Sequence, residues 1–288
     1  MFGDVIDDVV VVPRGPIRPD TDTVSSIRRR AGGSAANTAA WLGTLGAEVD
    51  FVGVVGLDDV ERHRALLAAA GVTPHLTGDR ELPTGSIVVI VDGEQRTMLT
   101  ETGANAAMSP DAVGDELLDA AAIVHFTGYS LFVTPDDAAV RSLIARAKAR
   151  GVQVSVDPGS AGFISDFGAD RFLRAARGAD LIFPSLDEGR ILTGLTAPEE
   201  VVARLAANFA VVALTLGTDG VLMAQRGRST VRVDAIANEI VDPTGAGDAF
   251  AAGFLAEWLR SGDGASAARA GVLAGARAVG TIGGCPPV

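Results

Sequence analysis

The segment DPTGAGD at residues 242–248 combines features that phosphoryl-transfer chemistry would use. Gly245 and Gly247 carry no Cβ, so the backbone can turn sharply there and bring its N–H groups close to a ligand. The apolar run that follows predicts a helix, whose first amides and positive dipole end could stabilise an anion. Asp248 falls in the first turn, where its carboxylate could take the proton of an attacking hydroxyl. A simpler alternative remains, in which the glycines only make a turn and Asp248 only complements the helix dipole.

The sequence lacks the motifs of several other nucleotide-binding and catalytic sites. There is no G-x-x-x-x-G-K-[ST] segment and no Gly-Lys pair, which excludes a Walker-type nucleotide loop. A dinucleotide fingerprint would need a glycine at position 250, where Phe250 stands. The histidines are scattered singly, and neither a Cys pair nor a G-x-S-x-G segment occurs, so a zinc site and a serine hydrolase are not indicated.

A second glycine segment lies far upstream, where AGGSAANTAAWLGTLG at residues 31–46 predicts an alanine-rich helix. Ser34 is the expected N-cap and Gly46 the expected C′ residue of this helix. Caps do not explain the paired glycines before Ser34, or Asn37, which is a poor helix former. The close approach of a small polar ligand explains both, although the Asn37 side chain could instead bond to the backbone.

Together the two glycine segments resemble the signature regions of the PfkB, or ribokinase-like, family of carbohydrate kinases. Further family-like stretches follow in the right order: GDVIDD at 3–8, VDFVGVVGLDD at 49–59, PTGSIVVIVDGEQRTM at 83–98, GAN at 103–105 and TLGTDGV at 215–221. The resemblance therefore runs nearly end to end. It implies a single kinase domain over residues 1–288, with a ribokinase-like three-layer α/β/α fold, a mostly parallel central sheet and a small β-sheet lid.

The resemblance implies roles for the residues of both glycine segments. Asp248 would be the catalytic base that deprotonates the acceptor hydroxyl, and the amides of Gly245, Ala246 and Gly247 would form the anion hole. The acceptor site that the resemblance implies consists of Asp8, Gly32, Gly33 and Asn37. We expect Gly32 to shape a turn and the other three to bond the acceptor's hydroxyl groups.

The same resemblance implies that ATP and Mg²⁺ are used. The nucleotide would contact the segment from Thr215 to Gly220, which includes Gly217. Glu188, in FPSLDEGRILTG, matches the acidic end of the family's N-x-x-E motif, which is associated with the magnesium–phosphate network. The first residue of that motif is Ser185 here, so its hydroxyl would have to replace an amide contact to phosphate or metal-bound water.

A monovalent cation is a further expectation from the resemblance. Many relatives bind K⁺ through a loop like Asp242 to Thr244 and through carbonyl groups near the C-terminus, here around residues 278–284. The alternative is that Asp242 only caps the turn before Pro243.

Two differences from ribokinase narrow the class of acceptor that we expect. Ile6 stands where ribokinase has Asn, and Ser34 stands where ribokinase and the phosphosugar kinases have Lys. A phosphorylated sugar is less expected, because the ammonium group that would pair with its phosphate is absent. We therefore expect a small sugar, with a nucleoside as the alternative. A catalytically silent sugar- or nucleoside-binding protein is a rival, and the replacement at Ser185 is the feature in its favour.

Composition agrees with an enzyme of the cytoplasm. With 288 residues, 48% of them hydrophobic, the chain can bury a large core. The single cysteine, Cys285, allows no internal disulfide, and neither a secretory signal nor a long apolar span occurs. A net charge of −12 argues against nucleic acid as a partner. We interpret the basic run Arg28 to Arg30 as a solvated edge rather than a phosphate clamp.

Short apolar strands alternate with helices, as in a parallel sheet covered on both faces. The predicted strands are 4–12, 49–55, 121–126, 152–156, 179–183 and 210–215, and the predicted helices are 34–45, 59–70, 135–149, 198–208, 246–260 and 264–280. Residues 13–31 and 77–104 break the alternation, and the second includes a predicted hairpin through Asp92-Gly93. We expect these insertions to pair into a lid that also forms a homodimer contact, with ordinary surface hairpins as the alternative.

Overall fold

The computed structural model describes residues 1–92, 95–133 and 137–287. The strands are β1 Ile6–Pro13, β2 Ser25–Gly32, β3 Val49–Gly56, β4 Val72–Asp79, β5 Gly85–Asp92, β6 Gln95–Glu101, β7 Ile123–Thr127, β8 Gln153–Asp157, β9 Leu181–Ile182, β10 Val211–Thr215, β11 Val221–Gln225 and β12 Val231–Val233. The helices are α1 Ser34–Thr44, α2 Val60–Ala69, α3 Asp115–Ala120, α4 Gly128–Phe132, α5 Asp137–Ala149, α6 Ala161–Phe167, α7 Ala169–Ala175, α8 Leu186–Thr193, α9 Pro198–Ala206, α10 Ala246–Ser261 and α11 Gly264–Ala278. No helix of these ranges is long and apolar enough to cross a membrane.

The central sheet runs in the order β12-β11-β10-β9-β8-β7, and β3 and β4 extend it. Phe2 joins the two parts, since it bridges Val52 of β3 and Phe126 of β7. Strands β7 to β10 are parallel, as are β3 and β4, whereas β11 is antiparallel to both of its neighbours. The sheet is mostly parallel and its strands are apolar because both faces are covered. One apolar core lies against α5, α7 and α9, and the other lies against α1, α10 and α11.

A small four-stranded sheet, in the order β2-β1-β5-β6, stands beside the central one. The predicted strand 4–12 is β1 and lies in this small sheet, so its expected place in the parallel sheet was wrong. The reason is visible in its sequence, because IDDVVVVP has two acidic residues and cannot be buried on both faces. The turn of the predicted Asp92-Gly93 hairpin lies outside the described residues, and the flanking pair Asp92 and Gln95 is antiparallel.

Most predicted elements of the central layer are confirmed to within a few residues. Residues 135 and 136 of one predicted helix lie outside the described chain, and α5 follows from Asp137. The elements that we did not predict are β4, β11, β12, α3, α4, α6, α7 and α8. Pro74 and Gly78 hid β4 within an extended region, yet a proline is tolerated there because β4 is an edge strand that pairs only with β3 within the described chain.

Candidate active site

A cavity of about 320 Å³ lies between the small sheet, the start of α1 and the start of α10. Ten of the fifteen residues that we predicted for the site line it: Asp8, Gly33, Asn37, Ser185, Glu188, Thr215, Thr244, Gly245, Gly247 and Asp248. The fold thus brings together residues from both glycine segments and from the ends of β9 and β10. The other predicted residues, Gly32, Gly217, Gly220, Asp242 and Ala246, do not line the cavity.

Gly245 begins α10 and requires glycine. It is the N-cap residue with φ of 77°, a left-handed conformation, and a Cβ there would collide with Cα of Gly284. Ala246 is the first helical residue, so Asp248 is the third and lies in the first turn, as predicted. A Cβ on Gly247 would meet nothing within 4 Å, which leaves the first turn of the helix open to the cavity.

The Asp248 carboxylate is held by two side chains of α1. The Ser34 hydroxyl donates to Oδ1 at 2.7 Å, and the Asn37 amide nitrogen donates to Oδ2 at 2.9 Å. Burial raises the pKa of Asp248 to about 7, against these two hydrogen bonds, and the charges of Asp4 and Asp8 add to the rise. A carboxyl group that titrates near neutral pH can accept and release a proton during a reaction.

The start of α1 is capped by Asp4 rather than by Ser34, which corrects our expectation. Ser34 is the first helical residue, and the Asp4 carboxylate accepts its backbone N–H at 2.7 Å and that of Ala35 at 3.2 Å. This leaves the Ser34 hydroxyl free to reach Asp248. Gly46, with φ of 85°, follows the C-cap of α1 as predicted.

Asp8 projects from β1 into the cavity beside Gly32. Gly32 is the last residue of β2 and lies in the strand rather than in a turn, and a Cβ on it would collide with the Asp8 carboxylate. Its missing side chain therefore makes room for Asp8. Burial raises the pKa of Asp8 to about 7, with further contributions from the charges of Asp7, Asp4 and Asp242.

Ser185 and Glu188 form a capping box at the start of α8. The Ser185 backbone N–H donates to Glu188 Oε2 at 2.8 Å, and the Glu188 N–H donates to Ser185 Oγ at 3.3 Å. The capping box thus gives a structural reason for a serine at position 185. The S-x-x-E spacing in the sequence is typical of such a capping box. Burial raises the pKa of Glu188, and burial together with the charges of Glu188 and Asp248 raises that of Asp157.

The cavity is acidic. Its lining includes the carboxylates of Asp4, Asp8, Asp157, Glu188 and Asp248, and no lysine or arginine occurs among its described lining residues. The described chain has no cluster of three or more His, Cys, Asp or Glu side chains arranged to hold a metal ion. Mg²⁺ commonly takes one or two carboxylates together with phosphate oxygens and water, which this lining can offer.

The segment predicted for the nucleotide begins next to Ser185, since Ser185 and Thr215 form an isolated parallel bridge. Residues Gly217–Asp219 make a 3-10 turn, which the Leu216 N–H closes by donating to the Gly220 carbonyl at 2.8 Å. A Cβ on Gly220 would collide with the Val233 carbonyl, so this glycine makes room for the end of β12.

The Asp242 loop lies against the C-terminal segment. Asp242 Oδ1 accepts the Thr244 N–H at 2.9 Å, and Oδ2 accepts the Gly283 N–H at 3.0 Å. The backbone N–H groups of Val241 and Asp242 both donate to the Val279 carbonyl. The loop and the residues around 278–284 are therefore neighbours, as the resemblance implied.

An aromatic wall, which we did not predict, closes one side of the cavity. It consists of Tyr129, Phe132 and Phe163. The rings of Phe132 and Phe163 are stacked at 5.3 Å with an interplanar angle of 17°, and Tyr129 meets both edge-on. In the sequence, the segments GYSLF and GFISDF only weakly indicate an aromatic surface that faces a cavity, because aromatic residues at such spacing usually belong to a core.

A sequence model described as pfkB family carbohydrate kinase matches residues 1–288. The ATP-dependent ribose-1-phosphate kinase of Halopiger xanaduensis is 36% identical over 258 residues, which is 85% of this chain and 80% of the relative. Adenosine kinase from Sinorhizobium meliloti superposes with a TM-score of 0.87 at 25% identity, covering 100% of this chain and 95% of its own.

A protein of E. coli solved in complex with ATP and Mg²⁺ superposes with a TM-score of 0.86, covering 98% of this chain and 92% of its own. At 24% identity this likeness shows the ribokinase-like α/β fold. The match along the whole sequence, the identity to the Halopiger relative and the shared fold agree. The chain therefore belongs to the pfkB family of carbohydrate kinases, which are phosphotransferases with an alcohol group as acceptor.

Proposed function

We propose that this protein transfers the γ-phosphoryl group of ATP to a hydroxyl group of a small neutral sugar. The observation that carries the proposal is the placement of Asp248, which faces the cavity from the first turn of α10 while Ser34 and Asn37 hold its two oxygens. Because both oxygens are held, the carboxylate has a fixed orientation in which it can receive a proton.

In the proposed mechanism, Asp248 accepts the proton of the attacking hydroxyl. The amides of Gly245 and Gly247, at the N-terminus of a helix of 16 residues, stabilise the negative charge on the transferring group. The predicted Ala246 amide does not join them, because its N–H donates to the Pro243 carbonyl at 3.2 Å. Asp8, Asn37 and the backbone of Gly33, which all line the cavity, bond the acceptor's other hydroxyl groups. The small sheet covers the cavity and excludes water, so that ATP is not simply hydrolysed.

The use of ATP is supported by the name of the Halopiger relative, and the use of ATP with Mg²⁺ by the ligands of the E. coli structure. Glu188 and Asp157 fit the metal, because they are buried carboxylates whose pKa values are raised and whose charge a divalent cation would offset. When bound, Mg²⁺ supplies neutralisation of the phosphate charges. The segment from Thr215 to Gly220 would receive the nucleotide. The loop from Asp242 to Thr244 and the carbonyl groups near residues 278–284 would hold K⁺.

The lining of the cavity favours a neutral acceptor. No lysine or arginine occurs among the described lining residues, so none of them offers a cation that could pair with a phosphate group on the acceptor. We therefore favour a free sugar over the ribose 1-phosphate that the relative's name indicates. Hydroxyl groups, in contrast, can donate hydrogen bonds to carboxylates such as Asp8.

A nucleoside is the second candidate, and the aromatic wall favours it. The stacked rings of Phe132 and Phe163, with Tyr129 beside them, offer an apolar surface on which a nucleobase could lie. The likeness to an adenosine kinase structure agrees with this candidate. The two candidates share the same base and anion hole and differ only in what fills the far side of the cavity.

We further propose a homodimer through the small sheet. The face of this sheet that points away from the cavity carries two apolar pairs, Ile27 with Val11 and Leu99 with Val88, beside the pair of Arg29 with Val9. Ile27 is 64% exposed and Leu99 is 56% exposed. Burying such a face in a partner would stabilise the dimer. The molar mass in solution, measured for wild type and Ile27→Glu, tests this, and a wild-type monomer would contradict it.

The test of the proposed function is ATP consumption with Mg²⁺ against pentoses, hexoses, keto-deoxy acids, nucleosides and ribose 1-phosphate, with product mass determined. We expect turnover on a neutral sugar. Turnover on a nucleoside would establish the second candidate, and turnover on ribose 1-phosphate alone would overturn the neutral acceptor. Tight acceptor binding without any turnover would identify a catalytically silent binding protein.

A further inference from the structure

Cys285 lies next to the proposed acceptor and base residues although no motif assigned it a role. Its thiol contacts Asn37 Oδ1 at 2.9 Å and the Ala31 carbonyl at 3.4 Å. The other end of the Asn37 amide, the nitrogen, donates to Asp248. The three side chains therefore form a chain of hydrogen bonds in which the amide of Asn37 stands between a thiol and a carboxylate.

The orientation of this amide matters because its two ends are chemically opposite. With the nitrogen toward Asp248, the amide donates to the carboxylate, which stabilises the charged form of the base. Rotated by half a turn, the amide would direct its oxygen at the carboxylate, and two acceptors would face each other. A donor placed at Oδ1 selects the first orientation, and the Cys285 thiol is the donor in that place.

Gly284, the residue before Cys285, fixes the position of the thiol relative to the Asn37 amide. A Cβ on Gly284 would collide with Asn37 Nδ2, so the segment packs directly on the amide. The Gly284 carbonyl accepts the Trp41 indole N–H at 2.9 Å, which ties the segment to α1. Gly284 also packs on Gly245 at the start of α10. The segment thus contacts both helices that carry the proposed site.

We propose that Cys285 is a positioning residue for phosphoryl transfer, whose thiol directs the Asn37 amide nitrogen toward Asp248 and so keeps the base in its charged form. The inference rests on the proposed role of Asp248. The thiol is suited to this task because it lies 2.9 Å from Asn37 Oδ1, and an ordinary thiol keeps its proton at neutral pH and can donate it.

The test compares wild type, Cys285→Ser and Cys285→Ala in the transfer assay between pH 5.5 and 9. Cys285→Ser keeps a donor, and we expect its pH profile to match wild type. Cys285→Ala lacks the donor, so the pKa of Asp248 rises and the acidic limb of kcat moves by about half to one unit toward higher pH, the size expected for one weakened hydrogen bond to a charged group. At pH 6 this corresponds to a three- to tenfold lower kcat, with KM for ATP unchanged.

Ser155→Ala is the matched control, since it also removes one buried hydrogen-bonding group, the partner of His125, but lies outside the cavity lining. We expect it to lower the unfolding temperature without moving the acidic limb. A wild-type profile in Cys285→Ala, or a serine variant that behaves like alanine, would overturn the positioning role. If the wild type itself shows no transfer with any acceptor, the proposed function fails instead, which separates the two outcomes.

Discussion

The amide nitrogen of Asn37 lies 2.9 Å from Oδ2 of Asp248, although the two residues are 211 positions apart in the sequence. Ser34 reaches the other oxygen of the same carboxylate from the same helix. The start of α1 therefore holds the Asp248 carboxylate, which lies in the first turn of α10. This joins the two glycine segments into one site and leads to the predictions that follow.

Turnover should depend on pH through Asp248. Its pKa is raised to about 7, so the charged form that can accept a proton increases as pH rises through that value. We expect kcat to rise with pH and to level off above about 8. Measurement of kcat at saturating ATP and acceptor checks this, and a rate that is constant from pH 5.5 to 9 would contradict it.

Ser34→Ala should weaken the base without unfolding the protein. The variant removes the donor to Asp248 Oδ1, while the cap that Asp4 provides to α1 stays in place. A hydrogen bond to a charged group contributes about 1.5–3 kcal/mol, so we expect kcat at pH 6.5 to fall roughly ten- to a hundredfold. Ser34→Thr, which keeps a hydroxyl group, is the control. Equal activity of the alanine variant would show that the contact has no role in the reaction.

Gly245→Ala and Gly247→Ala should separate folding from function. Alanine at 245 meets a left-handed φ and a collision with Gly284, so we expect both stability and turnover to be lost. Alanine at 247 meets nothing in the protein, so the unfolding temperature should change little while turnover falls by about 10²-fold, because the methyl group would project toward the bound phosphate. Thermal unfolding and kcat are measured together. If Gly247→Ala keeps full activity, the proposed anion hole is wrong.

Because of Asp8, the free energy of unfolding of the protein should fall as pH rises from about 4 to 7. The folded protein keeps the Asp8 proton up to a pKa of about 7, whereas an ordinary aspartate releases it near 3.8. The folded state therefore binds more protons in this window, and a rise in pH favours unfolding. We expect Asp8→Asn to unfold with about 1–3 kcal/mol more free energy than wild type at pH 8, and with little difference at pH 4. Urea unfolding at both pH values checks this, and a larger gain at pH 4 would contradict it.

Tyr129→Ala and Phe163→Ala should distinguish the two acceptor candidates. If a nucleobase lies on the aromatic wall, loss of either ring should raise KM for the nucleoside about tenfold or more, since base–aromatic stacking contributes roughly 1–3 kcal/mol. If the acceptor is a small sugar, these variants should change KM only slightly. KM for the best acceptor from the substrate panel is the quantity to measure.

The local parts of the site could be predicted from the sequence, and the contacts between distant segments could not. The glycines around 245–247 and the place of Asp248 in a first turn follow from local backbone preferences. The cap by Asp4 and the bond from Cys285 to Asn37 join residues that only the fold brings together. Strand β1 was assigned to the wrong sheet because its apolar residues do not specify a partner strand, although Asp7 and Asp8 argue against burial on both faces.

The most direct test of the central claim is the rate of phosphoryl transfer by Asp248→Asn at saturating ATP and acceptor. The amide has nearly the same shape but cannot accept the proton, and loss of a general base typically lowers the rate about 10²- to 10⁴-fold. Asp111→Asn, an exposed residue outside the cavity lining, serves as the control. We predict at least a hundredfold loss of kcat in Asp248→Asn, by the same range, with a folded protein that still binds its acceptor. Full turnover in this variant would contradict the account.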